Sequence, residues 1–202
     1  MTPSAGTGAR IGIFGGTFDP VHRGHLAVAA AVHRVLGLDR TLLMVANLPW
    51  QKAGLRSVTP AEDRYAMVAA AVEGRPGLEA GRQEIDRGGP SYTVDTADEL
   101  LRLDPAAELF VVVGADVVPD LGTWHDHGRL RDLVTLAVVG RPGTGLPAVP
   151  DGWRSVTVDV PPFDVSSTDL RERLERGEPV DGDIPPAVIR CIRRRGLYAT
   201  GR

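Results

Sequence analysis

Short apolar runs alternate along this chain with longer helix-patterned segments, and that alternation leaves few architectures open. Ile11–Phe14, Thr41–Val45, Leu109–Val113 and Thr135–Val139 read as buried strands. Leu78–Ile85 and Ser155–Val160 read as two more. Between them lie helical stretches with their own punctuation. Gly24 to Leu36 is Ala-rich and Pro-free, and Gly37 can cap it. Thr59-Pro60-Ala61-Glu62 offers a Thr cap, a first-turn proline and a glutamate three residues on, opening a helix that reaches about Glu73. Thr93 opens another that reaches Leu103 before Pro105. Ser166 or Ser167 caps a helix ending near Gly177, and Pro185-Pro186 opens a last one that stops at Gly196.

Parallel strands need crossovers, and helices of this length supply them. The predicted fold is therefore α/β: a Rossmann-like, doubly wound, mostly parallel sheet with helices on both faces. Residues 10–202 are expected to form one domain. The 202 residues, 43% of them hydrophobic, suffice for a sizeable core. Residues 1–9 are small and polar, without a basic region followed by an apolar stretch, and read as a disordered tail. The longest clean apolar run, Leu26–Val32, is far short of the roughly 18 residues of a membrane helix. Cys191 is the sole cysteine, which leaves no intramolecular disulfide and no cysteine-based zinc site and favours the cytoplasm. A formal charge of −3 argues against wrapping of nucleic acid, which needs a basic excess. Arg190 and Arg193–Arg195 read as cations in the last turn of a helix. Oligomeric state is not readable.

Ligands of doubly wound sheets bind beyond the strand C-terminal ends. After Ile11–Phe14 comes Gly15-Gly16-Thr17-Phe18-Asp19-Pro20-Val21-His22-Arg23-Gly24-His25. Two glycines let the backbone approach a ligand, and a helix N-terminus offers free N–H groups to phosphate. His22 and His25 sit three apart at the helix start and can share one face. The pattern suits stabilisation of charge on a reacting phosphate. It is neither a dinucleotide fingerprint nor a P-loop. A plain glycine turn with exposed histidines, or a zinc pair, are the competing readings; no third zinc ligand is evident. A second candidate wall is Val165-Ser166-Ser167-Thr168-Asp169-Leu170-Arg171. Its hydroxyls can cap a helix or donate to phosphate, and Arg171 lies one turn in.

Gly15–His25 resembles the G-x-F-D-P-x-H-x-G-H signature of the HxGH nucleotidyltransferase superfamily. Val165–Arg171 resembles that superfamily's I-S-S-T-x-[IL]-R motif, with Val165 for the usual Ile. The resemblance implies transfer of a nucleotidyl group from a nucleoside triphosphate to a phosphate, with release of pyrophosphate. It implies that Gly15, Gly16, Thr17, Phe18, His22, His25, Ser167, Thr168 and Arg171 form the ATP site, with His22, His25 and Arg171 catalytic.

Three further segments bear on the acceptor. They are Asn47–Lys52, then Gly89–Thr96, then Gly114-Ala115-Asp116 with Leu121 and Trp124. Lys52, the only lysine in the chain, is a mobile charge suited to phosphate. Thr93 heads a helix, Asp116 can accept from ribose hydroxyls, and Trp124 offers a flat face or simple packing. In this order they resemble the P-N-x-P-x-[HQ]-K, S-Y-T-x-D-T and G-x-D-x-x-x-x-L-x-x-W motifs of bacterial nicotinate-nucleotide adenylyltransferases. Val45-Ala46 departs from the Pro-rich start of the first, and His125 stands where Tyr is frequent. The resemblance, spanning about residues 11 to 198, implies AMP transfer from ATP to nicotinate mononucleotide, with Mg2+ carried on the ATP phosphates. It implies an acceptor site of Asn47, Lys52, Thr93, Gly114, Asp116, Trp124 and His125. Lys52 and Asp116 would hold phosphate and ribose, the Thr93 backbone would face the pyridine carboxylate, and Trp124 would stack on the ring. The alternatives are another HxGH transferase, such as the pantetheine-phosphate enzyme, or a non-catalytic pyridine-nucleotide-binding module.

Overall fold

Six strands, all parallel, form one sheet in the order β3-β2-β1-β4-β5-β6. The computed structural model describes residues 8–49, 58–140, 145, 147–161 and 163–198. The strands are β1 (Arg10–Gly16), β2 (Arg40–Val45), β3 (Leu78–Gly81), β4 (Glu108–Gly114), β5 (Val134–Gly140) and β6 (Arg154–Asp159). The order reverses between β1 and β4, which pair directly. A crevice at their C-terminal ends follows from that reversal, because the flanking crossovers leave in opposite directions.

Strand periodicity of two explains how one sheet serves two cores. Ile11 and Ile13, with Leu42 and Met44, point to the side holding Val94, Ala97 and Leu100 of α4 (Thr93–Leu103) and Leu130 of α5 (His127–Leu133). Leu43 and Val45 point to the other side. There they meet Met67 and Val68 of α2 (Ala61–Val72), Leu26 and Ala29 of α1 (Arg23–Leu36), Leu170 of α6 (Ser167–Glu175) and Val188 of α7 (Pro186–Arg195). Full burial of each such side chain contributes about 1.5–3 kcal/mol. The doubly wound reading is borne out, as are the ends of α1 and α7. Gly37 and Gly196 there adopt the left-handed cap, at φ 57° and 61°.

Local differences have local causes. The strand predicted over 78–85 stops at Gly81, and Gln83–Arg87 forms a short helix, α3. Arg82 and Asp86, four apart, pair at 2.9 Å on that turn. Thr59 does not cap α2. Its N–H donates to Asp19 and its carbonyl accepts from Arg64, so Pro60 takes the cap position. Thr93 is the first residue of α4, behind Tyr92 at the cap. A 3-10 helix over Ala115–Thr123 and the seven-residue α5 have no counterpart in the sequence reading. Pro119 and the shortness of both segments conceal their period. Ala9, read as part of a tail, is tied in: its carbonyl accepts from the Glu108 N–H and its N–H donates to Asp104.

Candidate active site

β1 delivers the chain to a tight turn that ends at the N-terminus of α1. His22 is the cap residue of that helix, with extended backbone (φ −138°, ψ 174°). The turn contains a cis peptide bond between Asp19 and Pro20. Phe18 has φ 51°, a left-handed conformation that bulky residues seldom adopt. Its ring is buried edge-on between Phe14 (5.7 Å) and His25 (5.0 Å). A Cβ on Gly16 would lie 2.7 Å from that ring, so the glycine makes room for Phe18.

The two histidine rings stack at 3.7 Å. The backbone N–H of His22 donates to Nδ1 of His25 at 3.2 Å. A neutral His25 therefore carries its proton on Nε2. His22 is buried; its side chain faces the His25 N–H across a capping box, and among the described residues its Nδ1 makes no hydrogen bond of good geometry. Burial pushes its pKa down to about 4, with Asp183 opposing weakly, so the ring is neutral at pH 7.

That shift predicts a pH effect on stability. Between about pH 6.5 and pH 4 the unfolded chain binds a proton at His22 that the folded chain refuses, so stability falls with pH across that window. The full loss is about 3 kcal/mol, at 1.36 kcal/mol per pKa unit. Urea unfolding at pH 7 and pH 5 should show a larger loss for the wild type than for His22→Asn. Parallel losses would assign the effect to other groups.

The second wall is stitched to the first. Ser166 caps α6 by accepting from the Asp169 N–H at 3.1 Å. Ser167 Oγ donates to the Pro20 carbonyl at 3.0 Å. Arg171, buried, donates through Nη1 to the carbonyls of Asp19 (2.6 Å) and Ser167 (2.9 Å), and through Nη2 to Thr168 Oγ1 (3.0 Å). The Asp19 carboxylate is 1% exposed and accepts from Tyr198 at 2.6 Å. Burial, and secondly Asp19, pushes the Tyr198 phenol above its ordinary value. Sequence reasoning missed Tyr198.

It also missed Arg64. This side chain is 1% exposed. It donates to the carbonyls of Thr59 (2.7 Å), Thr17 (2.9 Å) and Asn47 (3.1 Å), three separate loops. The available signal was an arginine in helical register with the apolar residues Met67, Val68 and Ala71.

Two cavities flank the turn. The larger, about 630 Å³, is lined by His22 and His25, by Gly114 and Asp116 at the end of β4, and by Gly140 and Val165. Gly114 and Asp116, expected on the acceptor side, thus stand on the same cleft as both histidines. A Cβ on Gly114 would lie 2.3 Å from Asp116 Oδ1, so that carboxylate can fold back over the strand end only beside glycine. The smaller cavity, about 150 Å³, brings Thr93, Trp124 and His125 together with Glu84, Ser91 and the Gly15-Gly16-Thr17 backbone. His125 stacks on Tyr92 at 4.1 Å, and the buried Trp124 Nε1 has no hydrogen-bond partner among the described residues. Asn47 stands behind this cavity. Its N–H donates to Ser91 Oγ at 2.8 Å and its Nδ2 to the Gly89 carbonyl at 2.9 Å. Lys52 lies outside the described residues. Among those residues no group of three His, Cys, Asp or Glu is placed to hold a metal, and no helix is long and apolar enough to cross a membrane.

A parallel sheet with its switch-point crevice flanked by paired histidines and a serine-capped helix defines a nucleotidyltransferase, and the cytidylyltransferase-like family model matches residues 13–173. The chain is 43% identical to a probable nicotinate-nucleotide adenylyltransferase of Corynebacterium kroppenstedtii, covering 94% of this chain and 90% of that one. It is 46% identical to the protein of the same description from Thermus thermophilus, over 94% of this chain and 99% of that one. Its fold matches that of Plasmodium falciparum nicotinic acid mononucleotide adenylyltransferase complexed with NaAD, with a TM-score of 0.76 at 17% identity, covering 94% and 97% of the two chains. The chain belongs to the nicotinate-nucleotide adenylyltransferase family.

Proposed function

We propose that this enzyme transfers AMP from ATP to nicotinate mononucleotide, giving deamido-NAD and pyrophosphate. The observation that carries the reading is the pair of cavities meeting at the Gly15–His25 turn, one beside the histidines and one beside Thr93 and Trp124. The larger takes ATP, and the smaller takes the pyridine end of the acceptor. Asp116, just past the end of β4 on the lining of the larger cavity, is assigned to ribose hydroxyls.

The acceptor phosphate attacks the α-phosphorus in line, and pyrophosphate leaves on the opposite side. The nucleophile is already an anion, so no general base is required. The protein supplies placement and charge stabilisation. His25 donates from Nε2 to the α-phosphate in the transition state. His22, neutral and on the lining of the larger cavity, contacts the neighbouring phosphates. The hydroxyls at the start of α6 and the Arg171 guanidinium, held against the Asp19–Pro20 turn and not on the lining of either cavity, are assigned to the departing pyrophosphate. The acceptor carboxylate meets the N–H groups that open α4, and the pyridine ring lies against Trp124. Lys52 is assigned to the acceptor phosphate.

Magnesium carried on the ATP phosphates would add charge neutralisation across them, beside His22 and His25.

Pyrophosphate release tests the assignment. With ATP and magnesium, nicotinate mononucleotide should support turnover, and nicotinamide mononucleotide should be a markedly poorer acceptor. A preference for the amide would overturn the acceptor and leave nucleotidyl transfer intact. Release only with pantetheine phosphate would favour the alternative transferase, and binding without release would favour a sensor.

A further inference from the structure

Glu84 belongs to no motif, yet it stands on the wall of the smaller cavity beside Ser91, Thr93 and Trp124. It is 6% exposed. Its Oε1 accepts from Thr96 Oγ1 at 3.1 Å, and the Ser91 hydroxyl also bonds to it. Ser91 Oγ in turn accepts from the Asn47 N–H. One carboxyl group thus braces α4 and the loop before it and, through Ser91, reaches Asn47 beyond β2.

The charges around Glu84 do not neutralise it cleanly. Arg87, on the same short helix, is the nearby cation. Its guanidinium is shared with Thr96 Oγ1 at 3.2 Å, Glu99 at 3.1 Å and Asp95 at 4.0 Å. Asp95 acts on Glu84 in the opposite sense to Arg87. Across the cavity stand His125 and Tyr92, stacked on each other. Burial raises the proton affinity of Glu84 above that of an ordinary carboxylate, against the pull of the two hydroxyls and Arg87.

On the reading that this cavity receives the pyridine carboxylate, two carboxyl groups share about 150 Å³. Two like charges that close in a low-dielectric site do not both stay ionised. We propose that Glu84 is a specificity-determining residue that meets the anionic acceptor as a neutral carboxylic acid, so that binding of nicotinate mononucleotide takes up one proton from solvent. Neutral Glu84 keeps one oxygen as the acceptor for Thr96 and offers an O–H donor on the other. An ionised Glu84 repels the same ligand. A neutral amide in the cavity creates no such demand.

The test combines kinetics with calorimetry. In the wild type, KM for nicotinate mononucleotide should climb toward tenfold per pH unit above the Glu84 titration, while KM for ATP stays level. Glu84→Gln, which keeps the acceptor for Thr96, should remove that slope and leave the slope from the acceptor's own phosphate. Identical slopes in the two proteins would overturn the proposal. Binding of nicotinate mononucleotide to the wild type, measured in two buffers of different ionisation enthalpy, should report net proton uptake approaching one. No uptake would overturn it even if the variant failed to fold. Failure of nicotinate mononucleotide to support any pyrophosphate release would instead overturn the acceptor assignment on which the inference rests.

Discussion

Replacing His25 by alanine should lower turnover about 10²–10³-fold while KM for ATP moves no more than a few-fold. The expectation follows from where the ring is held and which nitrogen carries its proton. The His22 N–H occupies Nδ1, and the rings of Phe18 and His22 hold the imidazole from two sides at 5.0 Å and 3.7 Å. Nε2–H is thus a donor fixed before substrate arrives, which needs no reorganisation when charge builds on the α-phosphate. A donor of that kind strengthens mainly in the transition state, so its loss lowers kcat more than ground-state binding. The substitution also removes the partner of the His22 N–H, costing about 1 kcal/mol, well short of unfolding a protein of ordinary stability. Steady-state pyrophosphate release against ATP concentration, with a thermal melt as control, makes the comparison. A rise in KM for ATP at unchanged kcat would reduce His25 to a binding residue.

The sequence disclosed some parts of this arrangement and concealed others for physical reasons. Strands buried on both faces announce themselves as unbroken apolar runs, which is why β2, β4 and β5 were legible to within a residue or two. The long helices carried glycine and proline at their ends. The short α3 and the 3-10 segment stayed hidden despite Gly88 and Gly114 at their ends, because five to nine residues hold too few turns to show a period. In the site, the residues assigned to ligands fall in contiguous motifs, and these could be read along the chain. The distribution between cavities could not. Asp116 and Trp124 belong to one motif, yet they line different cavities. Residues that brace the site from behind are scattered singly. Tyr198 meets Asp19 across 179 positions, and Arg64 reaches Thr17 across 47. No local pattern encodes a partner that far away. Glu84 was hidden differently, since a glutamate near an arginine reads as an exposed ion pair until its burial is known.

Arg64→Met should destabilise the fold by about 3–5 kcal/mol and, at a temperature where the variant remains folded, lower kcat by about 10²-fold. Methionine retains most of the aliphatic volume, so the change isolates the guanidinium's hydrogen bonds from packing. Three carbonyls, of Thr17, Asn47 and Thr59, lose a buried donor together. An unsatisfied buried carbonyl costs about 1–3 kcal/mol, and entry of a water recovers part of it. The effect on turnover has a separate origin. Thr17 lines the smaller cavity, and Asn47 bonds to Ser91 on its wall. On the reading that this cavity takes the acceptor, Arg64 holds the acceptor's spacing from the Gly15–His25 turn, and in-line attack depends on that spacing to within about an ångström. Arg64→Lys, with three donors on a point charge in place of a planar fork, should fall between the wild type and Arg64→Met in both measurements. Urea unfolding and pyrophosphate release separate the two roles. Lost stability with full turnover would leave Arg64 a structural residue. Near-wild-type stability together with full turnover would show that the three carbonyls find other partners and that the spacing is set elsewhere.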